Sequence, residues 1–229
     1  MNGDVNGVVN RPLVLACGAL VRELRAVFDR DGLAGHVEVD YLPAPLHNRP
    51  EQIVPAIEAR LATEPVDRRI LLGYGDCGTG GLLDLYIAST SRDVVRLPGA
   101  HCYEFLAPPG RFAALHAEEI GTFFLTDFLA RHFEAIVWRG LGLDRHPELT
   151  GLYFANYRRV ALLTQSDDTD VVVAGERAAR QLGLDFVVEA TGLGPLADAV
   201  QVSVQVSVQA SMQVSVPESV PVSVGRAVV

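Results

Sequence analysis

The chain has 229 residues with a positive mean hydropathy, and 49% of them are apolar, enough to bury a substantial core. Its formal charge of −9 comes from 28 acidic and 19 basic residues with no block of one sign, which argues against nucleic acid or an anionic membrane surface as a partner, since both reward clustered Lys and Arg. The opening "MNGDVNGVVNRP" is polar, no stretch reads as a membrane span or signal peptide, and the three cysteines are odd in number and far apart; a cytoplasmic protein with reduced thiols is expected rather than a disulfide framework.

Residues 1–11 read as a flexible N-terminus. "PLVLACGAL" (12–20) is a short apolar run, and "ALVRELRAVFDRDGL" after it carries apolar residues at helical spacing, so strand then helix is predicted. "HVEVDYLPAPLHNRP" alternates as a strand and is ended by prolines, and "PEQIVPAIEARLATEP" is a helix opened by Pro50 and closed near Pro65. "RRILLGYGDCG" is a third strand, "GGLLDLYIAST" begins a third helix, and "DVVRLPGAHC" (93–102) is a fourth strand. The long "RFAALHAEEIGTFFLTDFLARHFEAIVWRGLGL" is largely helical by period, with a short strand or tight turn open to "GTFFLT". A fifth strand at 159–164, a helix over "TDVVVAGERAARQLGL" and a sixth strand at 185–192 complete the pattern.

This alternation predicts a single α/β domain over 12–196, a mostly parallel sheet flanked by helices on both faces, with ligands bound beyond the carboxyl ends of the strands. From 197 to 229 valine alternates with Ser and Gln. That segment reads as a low-complexity, poorly ordered C-terminal tail, with an extended edge strand as the alternative.

Cys17 follows the first strand, Cys77 the third and Cys102 the fourth. If those strands are parallel neighbours, the three thiols project at one end of the sheet. Such a set suits zinc, or an iron–sulfur cluster with three protein ligands and one open position. His47 in "PLHN" and His101 beside Cys102 are the candidates for a fourth ligand or an acid–base group, and Glu104 is a nearby acid. Gly75 and Gly78 flank the bend that carries Cys77, and with Asn48 they are candidates to cradle a cofactor. The bland alternative is that each cysteine is a small buried hydrophobe.

His36, His116 and His132 read as ordinary partly exposed side chains, and His146 with Asp144 as a loop-ordering pair. The glycines of "GYGDCGTGG" match neither a phosphate-binding loop ending in Lys and Ser/Thr nor the dinucleotide spacing, and no Ser occupies a nucleophile elbow.

With "LACGAL", "LHNRPEQI", "YGDCG", "LPGAHCYEFL" and "GTFFLTDFL" in order over residues 12 to 195, the chain resembles the uncharacterised family catalogued as domain of unknown function 1638. The resemblance rests on Cys17, His47, Asn48, Cys77, Gly78, Cys102, Gly121, Thr122, Leu125 and Thr126. It departs from the family pattern at His101 and at Phe123 and Phe124, where tyrosines are usual. It implies an intracellular α/β protein, with some members encoded near corrinoid methyltransferases, and supplies no reaction.

The site chemistry therefore carries the functional expectation. It is a thiolate-metal enzyme, of lyase or transferase type, acting on a small-molecule substrate, with Cys17, Cys77 and Cys102 as ligands and His47 or His101 completing the set. A link to corrinoid or one-carbon metabolism is the resemblance's contribution. The alternatives are a non-catalytic metal or corrinoid carrier, and a metal-free enzyme with one cysteine as nucleophile.

Overall fold

A computed structural model describes residues 11–213, with side chains over 11–203; most of the expected flexible N-terminus and the last part of the expected tail lie outside the described residues. In chain order the strands and helices are β1 (Leu13–Cys17), α1 (Val21–Arg30), β2 (Glu38–Leu42), α2 (Ile53–Leu61), β3 (Ile70–Gly73), α3 (Leu82–Ser89), β4 (Val94–Arg96), α4 (Cys102–Leu106), α5 (Arg111–Glu118), β5 (Thr122–Thr126), α6 (Asp127–Arg131), α7 (Thr150–Tyr153), β6 (Arg159–Thr164), α8 (Thr169–Leu182), β7 (Asp185–Ala190) and α9 (Gly194–Gln213). Short 3-10 turns lead into α1 and α2, and one of them, Ala44–Asn48, carries His47.

The α/β class and the parallel pairing are as expected, but the strands form two sheets rather than one. The first has four parallel strands in the order β2-β1-β3-β4, the second three in the order β5-β6-β7. Both faces of β1 and β3 are buried, which is why they read as unbroken apolar runs. On one face Val14, Ala16 and Leu71 pack against α1, α4 and α9 through residues such as Leu24, Phe105 and Leu196. On the other, Leu13, Leu15, Ile70 and Leu72 meet Ile53, Ile57 and Leu61 of α2 and Leu83 of α3. The second sheet repeats the plan, with α6 and α8 over Leu125, Val160 and Leu162, and Leu115 of α5 against Ala161 and Leu163.

One open reading is settled and two expectations are corrected. "GTFFLT" is strand β5, paired in parallel with β6, because a five-residue apolar run has no period long enough to separate it from a helix. The fourth strand is only Val94–Arg96, so Cys102 begins α4 instead of ending a strand. The boundary at 196 also fails, because α9 runs through it. Leu196, Ala197, Val200 and Ser203 are buried at the three- and four-residue spacing of a helix, and the helix rests on α1, α4 and β4. Docking of that face overrides the low helix propensity of the Val-rich repeat. Among the described residues no helix is long and apolar enough to cross a membrane.

At the amino-terminal edge of the first sheet the nearly buried Arg68 donates to Glu64 at 2.5 Å, to Glu38 at 2.6 Å and to the Arg11 carbonyl at 2.9 Å. Arg60 donates to the same Glu64 at 2.5 Å. These guanidinium hydrogen bonds hold the Glu64 carboxyl below its usual pKa.

Two outcomes follow from this packing. A chain ending at Ala197 loses Val200, whose burial alone is worth about 1.5–3 kcal/mol, so its denaturant midpoint should fall well below that of a chain ending at Ser203; equal midpoints would show that α9 adds nothing. Because the folded pKa of Glu64 is depressed, its contribution is present above the unfolded value and lost as pH falls through the folded one. Glu64→Gln should therefore lower stability at pH 7 and flatten the loss of stability below pH ~4.5, as read from urea unfolding across pH.

Candidate functional site

The strand order reverses between β1 and β3: the chain leaves β1 for β2 on one side and leaves β3 for β4 on the other. Parallel sheets open a crevice at such a point, beyond the carboxyl ends of the two strands. Cys17 is the last residue of β1, and Tyr74 to Cys77 leave the end of β3. Ala16 stands opposite Gly73 in the register, and a Cβ at Gly73 would lie 2.4 Å from the Ala16 Cβ, so only glycine allows this approach.

The loop after β3 is then fastened to the loop before α4. Asp76 N–H donates to the Gly99 carbonyl at 3.0 Å and Cys77 N–H to the Ala100 carbonyl at 2.8 Å, which brings Cys77 beside Cys102. Gly75 suits the same pairing, since a Cβ there would crowd the Gly99 oxygen at 3.0 Å. The Asp76 carboxylate accepts from Thr79 Oγ1 at 2.5 Å and from the Gly80 and Gly81 amides at 3.1 and 2.8 Å, closing the turn. Within it Cys77 has φ of 51°, the one positive value at a non-glycine among the described residues, a strain of roughly 1–3 kcal/mol that the surrounding bonds sustain.

Cys17, Cys77, Cys102 and His47 line one small cavity of about 30 Å³, together with Tyr74. Its remaining wall is mostly apolar, with Leu20 and Ile53 from the first lobe and Phe128 and Leu129 from α6 among its members, and Thr126 adds one hydroxyl. All three thiols keep some accessible surface although protein surrounds each of them. Burial raises the pKa of all three: Cys77 is pushed up to about 11, helped by nearby Cys17, and Cys102 rises well above its ordinary value. Backbone amides oppose the shift in part. Ala19 N–H donates to Cys17 Sγ at 3.5 Å, the Gly75 and Cys102 amides favour a Cys77 thiolate, and those of Cys102 and Tyr103 favour a Cys102 thiolate. His47 is exposed along one side, but crowding of its ring, with His101 nearby, lowers its pKa and favours the neutral imidazole.

The other expected site residues stand apart. His101 is exposed and is the residue before α4, its ring near Tyr103 and Phe112 rather than in the cavity wall. Glu104 accepts from the Ala100 amide at 2.8 Å and lines a separate cleft with Pro98 and Phe112. Asn48 donates to the Ile136 carbonyl at 2.7 Å, which anchors the His47 turn to the second lobe. Gly78 is exposed with φ of 81° and shapes the turn beside Pro50, while Gly75 offers its amide to Cys77. His146 contacts Glu148 at 3.2 Å in place of Asp144. Tyr74 was the residue sequence reasoning passed over, although "GYGDCG" sets it between two glycines three residues before Cys77.

Among the described residues no group of three or more His, Cys, Asp and Glu side chains stands in metal-holding geometry, so the three thiols and His47 share a cavity without being closed around a point. The family described as a protein of unknown function (DUF1638) matches residues 41–200, a stretch that contains His47, Cys77 and Cys102 and begins after Cys17. No curated protein and no solved structure matches the chain.

Raised thiol pKa values have a direct chemical readout in metal-free protein. Moving Cys77 from 9.0 to about 11 cuts its thiolate fraction roughly a hundredfold, and the greater nucleophilicity of a more basic thiolate recovers about tenfold of that. Alkylation of native protein by iodoacetamide at pH 7.5 should thus run at least about tenfold slower than that of urea-unfolded chain, followed by peptide mass spectrometry. Equal rates at Cys77 would refute the buried, neutral thiol.

Proposed function

This chain belongs to the DUF1638 family, whose description carries no activity, and we propose from its site that it is a thiolate-metal protein, an enzyme of lyase or transferase type acting on a small molecule. Cys17, Cys77 and Cys102 are its ligands, and His47 is the fourth ligand or the acid–base group. The observation that carries this reading is the meeting of these four side chains, each remote in sequence, in one cavity at the β1/β3 switch point.

The chemistry of the donor set supports it. Three soft sulfurs and a neutral imidazole are the ligands that zinc and iron sites use. The amides lying against the sulfurs are the kind of second-shell donors that stabilise metal thiolates. In a wall without a lysine or arginine, only a bound cation would offset three neighbouring thiolates, and such an ion deprotonates its thiols outright. Burial that keeps the free thiols neutral speaks against the metal-free nucleophile.

An ion of the zinc class and an iron–sulfur cluster would both use this donor set, and elemental analysis separates them. The ion would supply Lewis acidity toward a bound heteroatom. Cys17, Cys77 and Cys102 would hold it, and His47, at the exposed side of the cavity, would complete the set or exchange a proton with the substrate.

Protein purified without oxygen should contain close to one metal ion per chain by elemental analysis, and each of Cys17→Ser, Cys77→Ser and Cys102→Ser should lower that occupancy severalfold. His47→Ala distinguishes its two roles: loss of metal marks a ligand, and lost turnover with metal retained marks an acid–base group. Wild-type protein that neither carries nor takes up zinc or iron sinks the reading. Stoichiometric transfer of the metal without turnover would make the protein a carrier.

A further inference from the structure

Glu23, in the first turn of α1, is only 6% exposed, and among the described residues no other residue donates a hydrogen bond to its carboxyl. Buried carboxylates are ordinarily paired and hydrogen-bonded, so one that is neither calls for an occupant. Burial pushes its pKa up and Asp127 adds to the rise, against the pull of its own amide and of Arg131 and Arg22, which stand too far off for an ion pair. The side chain lines two adjoining clefts of about 160 and 280 Å³, both of which also include Arg22 and Arg131. They lie between α1 and the carboxyl ends of β5 and β6, the end of a parallel sheet at which ligands bind.

The neighbours able to satisfy this carboxyl are engaged elsewhere. Arg131 donates to Asp168 at 2.9 Å and lies 3.8 Å from Asp127. Asp127 accepts from the Gln165 amide at 3.1 Å and from the Ser166 hydroxyl at 2.5 Å. Arg22 is exposed, borders both clefts, and makes no hydrogen bond or ion pair among the described residues. A carboxyl and a guanidinium from consecutive residues thus share one polar cleft, each without a mate and not paired with each other. Among the described residues no three His, Cys, Asp or Glu side chains stand in metal-holding geometry, so the acids of this cleft do not close around an ion.

We propose that this cleft binds a small zwitterion of the amino-acid class, with the Glu23 carboxylate taking its ammonium group and the Arg22 guanidinium its carboxylate. An ammonium brings the three donors and the counter-charge that a buried carboxylate lacks, and a guanidinium forks onto a carboxylate. A simple acid would leave Glu23 buried and unpaired, and a simple amine would leave Arg22 with water alone, so neither matches both groups. Ala19 and Phe128 line the smaller cleft and the thiol cavity alike, which sets the bound molecule beside the thiols. Neither of the two charged contacts involves a sulfur or a metal, so they are independent of the thiolate-metal reading.

The test uses full-length protein and the standard amino acids, each added singly at millimolar concentration while thermal unfolding is followed. At least one should raise the midpoint, as a ligand confined to the folded state does, and calorimetric titration should then give one molecule per chain. The amine that lacks the carboxylate of that amino acid, and the acid that lacks its ammonium group, should each bind about tenfold or more weaker, the order expected for one lost charged contact. Glu23→Gln should weaken the amino acid and the amine by a similar factor and leave the acid unchanged. Arg22→Gln, at an exposed position, should weaken the amino acid and the acid and spare the amine. Because Glu23→Gln removes a buried charge that has no partner, its own midpoint without ligand should equal or exceed that of wild type; a fall would assign Glu23 a structural bond and overturn the proposal. The proposal is overturned as well if no amino acid shifts the wild-type midpoint, if either variant binds the amino acid as tightly as wild type does, or if the bare amine or the bare acid binds as tightly as the amino acid.

Discussion

The approach of Ala16 to Gly73 governs the rest of the site. These two residues face each other at the carboxyl ends of β1 and β3, and a side chain at 73 would collide with the Ala16 methyl at 2.4 Å. Any larger residue would push apart the strand ends from which Cys17 on one side and Tyr74 on the other enter the cavity. Spacing at this pair then propagates. The loop leaving Gly73 reaches the 99–100 carbonyls only from here, and its two amide bonds carry Cys102 into place. A geometric constraint on one glycine thus decides whether three cysteines from separate segments meet.

What they meet in is a largely apolar space without a carboxylate or guanidinium, and that choice has electrostatic consequences. Desolvation is the first cause of the raised pKa at each of the three thiols, and each neighbouring sulfur makes the next ionisation harder. Amides aimed at the sulfurs reduce the penalty without removing it. The protein has thus assembled groups that resist ionisation together. The strained φ at Cys77 belongs to the same account, since residues in that conformation persist where surrounding bonds over-determine them, as the Asp76 carboxylate does here.

How much of this was legible in the sequence depended on the length of each signal. β1, β3 and β6 contain runs of four or five buried residues bounded by glycine, polar residues or turns, and their apolar continuity marks them. The meeting of Cys17 and Cys77 followed from placing thiols after neighbouring parallel strands. Cys102 met them for a different reason, because a loop hydrogen-bonded to the Cys77 turn delivers it, and no pattern in "LPGAHC" announces that pairing. Glu104 misled because its side chain turns back on a short helix to cap Ala100, a direction that sequence spacing does not specify. For α9 two periods competed. The Val/Ser/Gln alternation is conspicuous, while Leu193, Leu196, Ala197 and Val200 carry a quieter helical spacing, and the quieter one touches the core.

The second sheet is more than an appendage to the first. Thr126, Phe128 and Leu129, at the carboxyl end of β5 and the start of α6, form the wall of the cavity that faces the thiols. Tyr103 Oη donates to the Phe124 carbonyl at 3.1 Å, so the residue after Cys102 is bonded to the very strand that supplies this wall. Asn48 does the same for the other flank, tying the His47 turn to Ile136. After β7, α9 returns to pack on α1, α4 and β4, which closes the chain back onto the lobe where it began. The thiols and His47 on the first lobe and the apolar wall on the second are therefore held in one frame by bonds that lie one residue from Cys102 and one from His47. A change in how the lobes sit would be felt at the sulfurs, and filling the cavity would in turn fix the lobes against each other.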